Sequence, residues 1–372
     1  LEPVVFFVPD DFATGREPAV ARAEFANLSV VEPRQYVRFA LGGALDGIAR
    51  SVDRVQYLGG DLMHAARVND RLGGIATSYK FSRARYSDRF QRVFAIDERN
   101  REQLLAWKTR SERIVVVGNL AIDAAFYEAE LEDSVADRVA EDAIVIMPGA
   151  RRYEVENMVP FFLRVAQRLR EIDSGLPIVF GISPFTTIDE LSHALAIGGL
   201  PTVYGARGSL VERDGIVYLR DEGGDEFPVV RHAQRAATRA RLAVTIPGTK
   251  TVELAALGVP TVVTTPFNAP EAVVITGPLQ YIERIPVIGV PVKRSLAVRF
   301  SKRFTFFAQP NMDSGRELMP ELPGTLTPGF VAQRVYERWK DRDWAAAASA
   351  EMRVFYAGHR GASHRMAEAL AA

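Results

Sequence analysis

AIVIMPGARRYEVENMVPFFLRVAQRLREI, residues 143–172, decides the fold. Its first residues form an unbroken apolar run that stops at Pro148-Gly149. From Glu154 to Ile172 the apolar residues recur at helical spacing instead. A strand without polar alternation is buried on both faces, and a helix directly after it is the building unit of a parallel α/β sheet.

The same unit recurs in both directions. Upstream, apolar runs at 3–9, 28–32, 54–60, 74–81, 92–98 and 113–119 read as strands, and LMHAARVNDRLG (62–73) reads as an amphipathic helix between two of them. Downstream, strands are expected at 176–183, 200–206, 215–221, 241–248 and 259–266. The acidic stretch ELEDSVADRVAEDA (130–143) reads as a boundary. The expectation is therefore two Rossmann-like domains with parallel sheets facing a central cleft. Residues 1–140 form one, joined by the C-terminal helix 348–372, and residues 141–347 form the other. Ligands of such sheets bind at the carboxyl ends of the strands.

Composition narrows the chemistry. The chain has 372 residues, 48% hydrophobic and 25% charged, which suits a globular protein of two domains. Lys plus Arg and Asp plus Glu are 46 each, so no overall field favours nucleic acid and any anion site must be local. With no cysteine, disulfides, thiolate metal sites and a cysteine nucleophile are excluded, and a reducing cytosol fits. The opening LEPVVFFVPDD is too short and too acidic for a signal peptide. No run approaches the roughly 20 apolar residues of a spanning helix. A cytoplasmic protein is expected; its oligomeric state stays open, a homodimer included.

Four stretches carry candidate chemistry. At Pro148-Gly149 a strand gives way to a helix, so Gly149 lets a ligand approach, the helix start offers free amides, and Arg151 and Arg152 add charge. A plain turn with solvated arginines explains this stretch equally well. VTIPGTKTVELAAL (244–257) repeats the design: Gly248 and Thr249 present donors, Lys250 supplies a point charge, and Glu253 could accept from ribose hydroxyls or merely favour the helix dipole. In YLGGDLMHAARV (57–68), Asp61 is either the helix cap or a general base, and His64 follows one turn later. Lastly, QPNMDSGRELMPELPGTLTP (309–328) crowds Asn311, Arg316, Glu317 and Glu321 into a short region, which a solvated charged helix accounts for only in part. No Cys/His cluster and no paired-carboxylate motif for a divalent ion is present.

Taken in order, these stretches resemble the lipid A disaccharide synthase family, inverting glycosyltransferases of the GT-B fold. DLMHAARVNDRLGG matches the family's acidic loop and helix, and IVVVGNLAID (114–123) its Val-Gly-His/Asn-Pro-Leu-like segment. IMPGARRYEVENMVPFFLRVAQRL is similar to its Leu-Pro-Gly-Ser-Arg-x-x-Glu segment, and IPGTKTVELAALGVPTVV to its Ser-Gly-Thr-x-Thr-x-Glu loop. QPNMDSGRELMPEL resembles its Pro-Asn-x-x-x-Gly-Arg-Glu segment, and GASHRMAEALAA (361–372) its final helix. The first loop departs: VPDDFATGRE (8–17) stands where the family has Gly-Glu-x-Ser-Gly-Asp. Ala150 replaces Ser, Pro323 stands near a common Gln, and 280–307 is longer, as in divergent, related members.

The resemblance implies an acceptor-binding N-terminal domain and a C-terminal domain for a UDP-sugar, with no cofactor or metal. Asp61 would deprotonate the acceptor hydroxyl, which is expected on a lipid-linked or glycolipid acceptor. Gly149, Arg151, Arg152, Gly248, Thr249, Lys250, Thr251, Glu253, Asn311, Arg316 and Glu317 would hold the nucleotide sugar. Two other readings use the same architecture, a UDP-sugar 2-epimerase and a non-catalytic sugar-nucleotide binder. KRSLAVRFSKRFTFF (293–307) sets Leu296, Phe300, Phe304 and Phe307 at helical spacing beside Arg299, Lys302 and Arg303. That pattern suits either a peripheral contact with the inner membrane face or packing into the core.

Overall fold

The computed structural model describes residues 2–10, 13–45, 47–48, 50–80, 86–268 and 305–371. The chain divides into two compact units, Leu1–Asp123 with Gly358–Ala372, and Ala124–Ala357.

The first unit carries strands β1 (Val4–Phe6), β2 (Ser29–Val31), β3 (Arg54–Tyr57), β4 (Ile75–Tyr79), β5 (Arg92–Ala95) and β6 (Ile114–Val116). Between them run helices α1 (Glu17–Glu24), α2 (Pro33–Ala40), α3 (Leu62–Leu72) and α4 (Glu98–Ala106), and α5 (Leu120–Glu130) follows. β1 pairs with β2, and β3 to β6 pair in chain order, every pairing parallel. The central β5 is buried on both faces at Val93, Phe94 and Ala95, as an unbroken apolar run requires. α3 begins where Asp61 caps it, its Oδ1 accepting from Met63 N at 2.8 Å.

The second unit holds β7 (Ile144–Met147), α6 (Arg152–Ile172), β8 (Ile178–Gly181), α7 (Ile188–Ile197), β9 (Gly208–Arg213), β10 (Ile216–Asp221), β11 (Glu226–Val230), α8 (Ala233–Arg239), β12 (Leu242–Thr245), α9 (Thr249–Leu257) and β13 (Thr261–Pro266). It continues with α10 (Gln309–Ser314), β14 (Glu321–Gly324), α11 (Pro328–Lys340) and α12 (Arg342–Tyr356), and α13 (Ala362–Ala371) belongs to the first unit. The sheet order is β14-β13-β12-β7-β8-β11-β10-β9. From β14 to β11 every pairing is parallel. α6 buries Phe161, Phe162, Leu163 and Leu169 against Ile144, Ile146, Ile178 and Phe180 of the sheet.

Three expectations need correction here. Residues 200–206 do not form a strand. Their backbone groups bond to α6 instead, Leu200 N to Asn157 Oδ1 at 3.0 Å and Ala206 N to Pro160 O at 2.9 Å. Residues 216–221 are a strand but run antiparallel, because Asp214 (φ 52°) and Gly215 (φ 73°) make a tight hairpin turn with β9. Residues 130–143, read as the boundary, lie inside the second unit. Arg235 on α8 holds Asp137 (Nε to Oδ1, 2.5 Å) and the Ala129 carbonyl (Nη1, 3.3 Å), and so residues 124–140 join the second unit. Of 293–307, residues 293–304 lie outside the described residues, and Phe307 sets its ring 5.7 Å from that of Phe267. No helix among the described residues is long and apolar enough to cross a membrane.

α13 docks through charge and a glycine. Asp123 Oδ1 and Oδ2 accept from Gly361 N and Ser363 N, each at 2.7 Å, which places a carboxylate at the helix start. Gly118 has φ 105°, and a Cβ there would lie 2.7 Å from His359 O and 3.0 Å from Ala362 Cβ. Gly118→Ala should therefore cost roughly 1–3 kcal/mol and expose the last helix to limited proteolysis. Unchanged cleavage kinetics and unchanged urea unfolding would contradict that docking.

Candidate functional site

Strand order locates the crevice. From β7 the chain passes to β8, reaches the edge at β9, comes back through β10 to β11 beside β8, and then crosses to place β12 on the opposite side of β7 and continues to β13 and β14. The order reverses between β7 and β12, and a doubly wound sheet opens there beyond its carboxyl ends. Met147 faces Thr245 across that pair, and Thr245 Oγ1 donates to Met147 O at 3.0 Å. Pro148-Gly149 and Pro247-Gly248, far apart in sequence, thus leave the sheet side by side.

The two turns differ in chemistry. Gly149 has φ 109°, and Glu154 Oε2 accepts from Ala150 N at 3.0 Å and from Arg151 N at 3.1 Å. The two amides just ahead of the helix are thus taken by the helix's own carboxylate. Arg151 Nη1 lies 3.2 Å from Glu154 Oε1, and Arg152 Nε donates to Glu156 Oε1 at 2.8 Å. The Gly149–Arg152 turn is carboxylate-capped, and any anion there must displace Glu154.

At the second turn no side chain among the described residues caps α9. Gly248 has φ 154°, and a Cβ there would meet no atom of the described residues within 4 Å. Thr249 is exposed beside it, whereas Thr251 is buried and donates Oγ1 to Gly248 O at 2.8 Å, which stiffens the turn. Lys250 Nζ sits 3.0 Å from Glu253 Oε2 and 3.8 Å from Glu128 Oε2. Glu253 is only 9% exposed, and Gln234 Nε2 donates to its Oε2 at 2.6 Å. The pair carries more than a first-turn acid would: a buried carboxylate must be matched by donors, and Gln234 and Lys250 supply them.

The polar segment that opens at Gln309 has a different use from the one expected. Asn311 is fully buried and spends its whole hydrogen-bonding capacity on the chain. Its Oδ1 accepts from Leu318 N at 2.7 Å and Met319 N at 2.9 Å, and its Nδ2 donates to Met319 O and Glu321 Oε1, both at 2.7 Å. Glu321 also accepts from Phe307 N at 2.7 Å and Ala308 N at 2.9 Å. Arg316 pairs with Glu351 of α12, and Glu317 Oε1 accepts from Glu321 N at 3.3 Å. Asn311 therefore has no donor or acceptor left for a ligand. The cluster secures β14, and α10 packs against α9 behind the open turn.

One cation escaped the sequence reading. Arg231, the residue after β11, is half-buried and donates Nη1 to Ser183 O at 3.1 Å and Thr186 O at 2.9 Å. Burial lowers its pKa from the ordinary arginine value. Neither of these partners is a carboxylate, so its charge remains uncompensated by them at the carboxyl edge of the sheet. An arginine directly after the apolar run EFPVV was the available signal. Among the described residues no group of three or more His, Asp or Glu is placed to hold a metal ion.

Asp61 sits in the first unit as the exposed cap of α3. His64, one turn on, has Nδ1 2.7 Å from the Tyr36 hydroxyl, and burial lowers its pKa against the opposing pull of Asp61 and Asp10.

No family model and no curated protein sequence matches the chain. Solved structures resemble it at low identity. Anabaena Alr3699/HepE, crystallised with UDP-glucose, shares 10% identity over 99% of each chain, with a TM-score of 0.47. A glycosyltransferase from Rickettsia africae shares 10% over 99% of this chain and 88% of its own, with a TM-score of 0.44. The UDP-GlcNAc 2-epimerase of Methanocaldococcus jannaschii shares 13% over 91% of this chain and 100% of its own, with a TM-score of 0.42. Each score is below 0.5, so the α/β assignment rests on the parallel pairings and the strand order themselves.

Asn311→Ala should orphan several buried groups at once, each costing about 1–3 kcal/mol. Urea unfolding should show a loss of roughly 3–5 kcal/mol, whereas a loss below 1 kcal/mol would return Asn311 to the ligand-binding candidates.

Proposed function

We propose that the chain is a GT-B-type glycosyltransferase that takes a sugar from a UDP-sugar to an acceptor hydroxyl with inversion, and that the acceptor is lipid-linked. The observation that carries this reading is the pair of Pro-Gly turns side by side at the β7–β12 switch point, one of them open. There the uncapped start of α9 offers backbone amides to the diphosphate, with the Thr249 hydroxyl beside them. Lys250 neutralises the leaving diphosphate. Glu253, whose Oε2 is taken by Gln234 and Lys250, keeps Oε1 for a ribose hydroxyl. Arg231 adds charge at the same edge of the sheet.

Asp61 is the proposed general base. Its Oδ1 is engaged by Met63 N, which leaves Oδ2 to take the acceptor's proton. The acceptor oxygen then bonds to the anomeric carbon as the bond to the diphosphate oxygen breaks, and the diphosphate leaves with the electron pair. The resemblance to lipid A disaccharide synthase supports the acceptor class.

A 2-epimerase is the second reading, favoured by one observation: the segments after β1 and β3 bring a histidine, His64, and two carboxylates, Asp10 and Asp61, to one edge of the first unit. Free UDP formed together with a new glycoside supports transfer, and an epimerised UDP-sugar without an acceptor supports the alternative.

UDP at about 100 times its dissociation constant should stabilise the protein by about 2.7 kcal/mol, read as a rise in melting temperature. Lys250→Met should weaken UDP binding roughly 10- to 100-fold. No shift with millimolar UDP, GDP, ADP or TDP would refute the nucleotide site. Asp61→Asn retains a good helix cap, so stability should hold within a few tenths of a kcal/mol while transfer falls by ~10²–10⁴. Full activity in that variant would leave Asp61 as a cap alone.

A further inference from the structure

The second unit holds a cavity of about 710 Å3 between Arg164 and Arg168 of α6, Tyr204 and Gly205 of the loop after α7, and the start of α11 at residues 327–329. Arg164 lies well down α6 from its first residue, Arg152, by about 18 Å at ~1.5 Å per residue. The cavity is therefore separate from the two Pro-Gly turns. Its walls are fixed. A Cβ on Gly205 would lie 2.6 Å from Pro160 Cβ, so glycine lets this loop lie directly on α6. Asn268 is buried, accepts from Leu326 N at 2.7 Å, and donates Nδ2 to Leu326 O and Thr202 O, both at 2.8 Å. That one amide ties the loop before Tyr204 to the residue before Thr327. Thr327 Oγ1 then accepts from Phe330 N at 3.3 Å and caps α11 itself.

The charged groups that line this space are both cations. Arg164 is half-buried and makes no hydrogen bond or ion pair among the described residues. Arg168 gives Nη1 to both oxygens of Glu171, at 2.8 and 2.7 Å, which leaves its Nε and Nη2 for another acceptor. The Tyr204 hydroxyl likewise has no partner among the described residues. Tyr204 is held at φ 56°, where a bulky side chain is strained, and its exposed ring lines the cavity. A guanidinium half withdrawn from water and left without an acceptor is costly, and an anion removes that cost.

We propose that this cavity binds a soluble phosphate monoester. A phosphoryl group carries about −1.5 to −2 charges at pH 7 and three acceptor oxygens. Those oxygens suit the forked donors of Arg164 and the part of Arg168 that Glu171 does not engage. The volume exceeds that of a bare ion and falls in the range of small-molecule sites. The ester's organic part lies against the Tyr204 ring and Pro328, an aromatic and an apolar wall. Gly205 and Gly329 place no side chain in the space, so the ligand can approach the backbone. The site is additional to the nucleotide crevice and does not depend on that reading.

Titration calorimetry with phenyl phosphate, inorganic phosphate and phenol tests it. Phenyl phosphate should bind one per chain with a dissociation constant of about 0.1–1 mM, roughly three- to tenfold tighter than inorganic phosphate, and phenol should not bind. Arg164→Gln should weaken phenyl phosphate roughly 10- to 100-fold. Because Arg164 has no partner among the described residues, that variant should keep the wild-type melting temperature, which separates lost binding from lost folding. Lys250→Met, which alters the α9 turn, should leave phenyl phosphate binding unchanged. No binding, binding unaffected by Arg164→Gln, binding lost in Lys250→Met, or phenyl phosphate no tighter than inorganic phosphate would each overturn the site. So would capture by phosphatidic acid vesicles without binding of phenyl phosphate, which would assign a lipid surface instead. Phenyl phosphate binding without UDP binding would fault the nucleotide reading and leave this one standing.

Discussion

The pairing of β12 with β7 is the constraint on which the second unit depends. Both strands are buried on both faces, so neither tolerates a shift of register without unpairing backbone groups far from water. Leu242 to Thr245 lie against Ile144 to Met147, and Thr245 adds a side-chain bond to Met147 O. That single register sets two Pro-Gly turns beside each other at the place where the strand order reverses. The crevice is therefore a consequence of sheet topology, and its chemistry is whatever the two turns and the helices behind them present.

What they present is unequal. Around Gly149 the Glu154 carboxylate takes the amides of Ala150 and Arg151, just ahead of α6, and so occupies that turn. Around Gly248 no side chain among the described residues does so. A free helix start is costly unless water or a ligand satisfies it, and the structure supports this one heavily. Thr251 braces the turn, Glu253 is fixed by Gln234 and Lys250, and α10 packs behind α9. α10 in turn is held by buried Asn311 and half-buried Glu321. Asn311, its bonds all spent on the chain, thus bears on the site through α10 and α9 rather than by touching a ligand.

The first unit repeats the principle with other residues. Parallel strands deliver their following segments to one edge, and there a buried tyrosine fixes the ring of a half-buried histidine beside two carboxylates. Buried titratable groups are expensive to hold, and here each cost is met by a partner on a neighbouring segment. Asp61 caps α3 through one carboxylate oxygen, and the other is the one to which the proposed base role falls.

By itself the sequence determined the α/β class, most strands and the helices after the two Pro-Gly turns. These depend on local periodicity and on glycines that the backbone requires, and both are written in consecutive residues. Only the tertiary structure decided the rest. It brought Gln234 to Glu253, set Arg231 at the carboxyl edge of the sheet, matched Glu154 to the amides of Ala150 and Arg151, and turned Asn311 inward. It also turned residues 200–206 away from the sheet and set His64 against Tyr36. Each of these outcomes depends on which distant group satisfies a buried donor or acceptor, and that is fixed by packing across strands and helices rather than by neighbours in the chain.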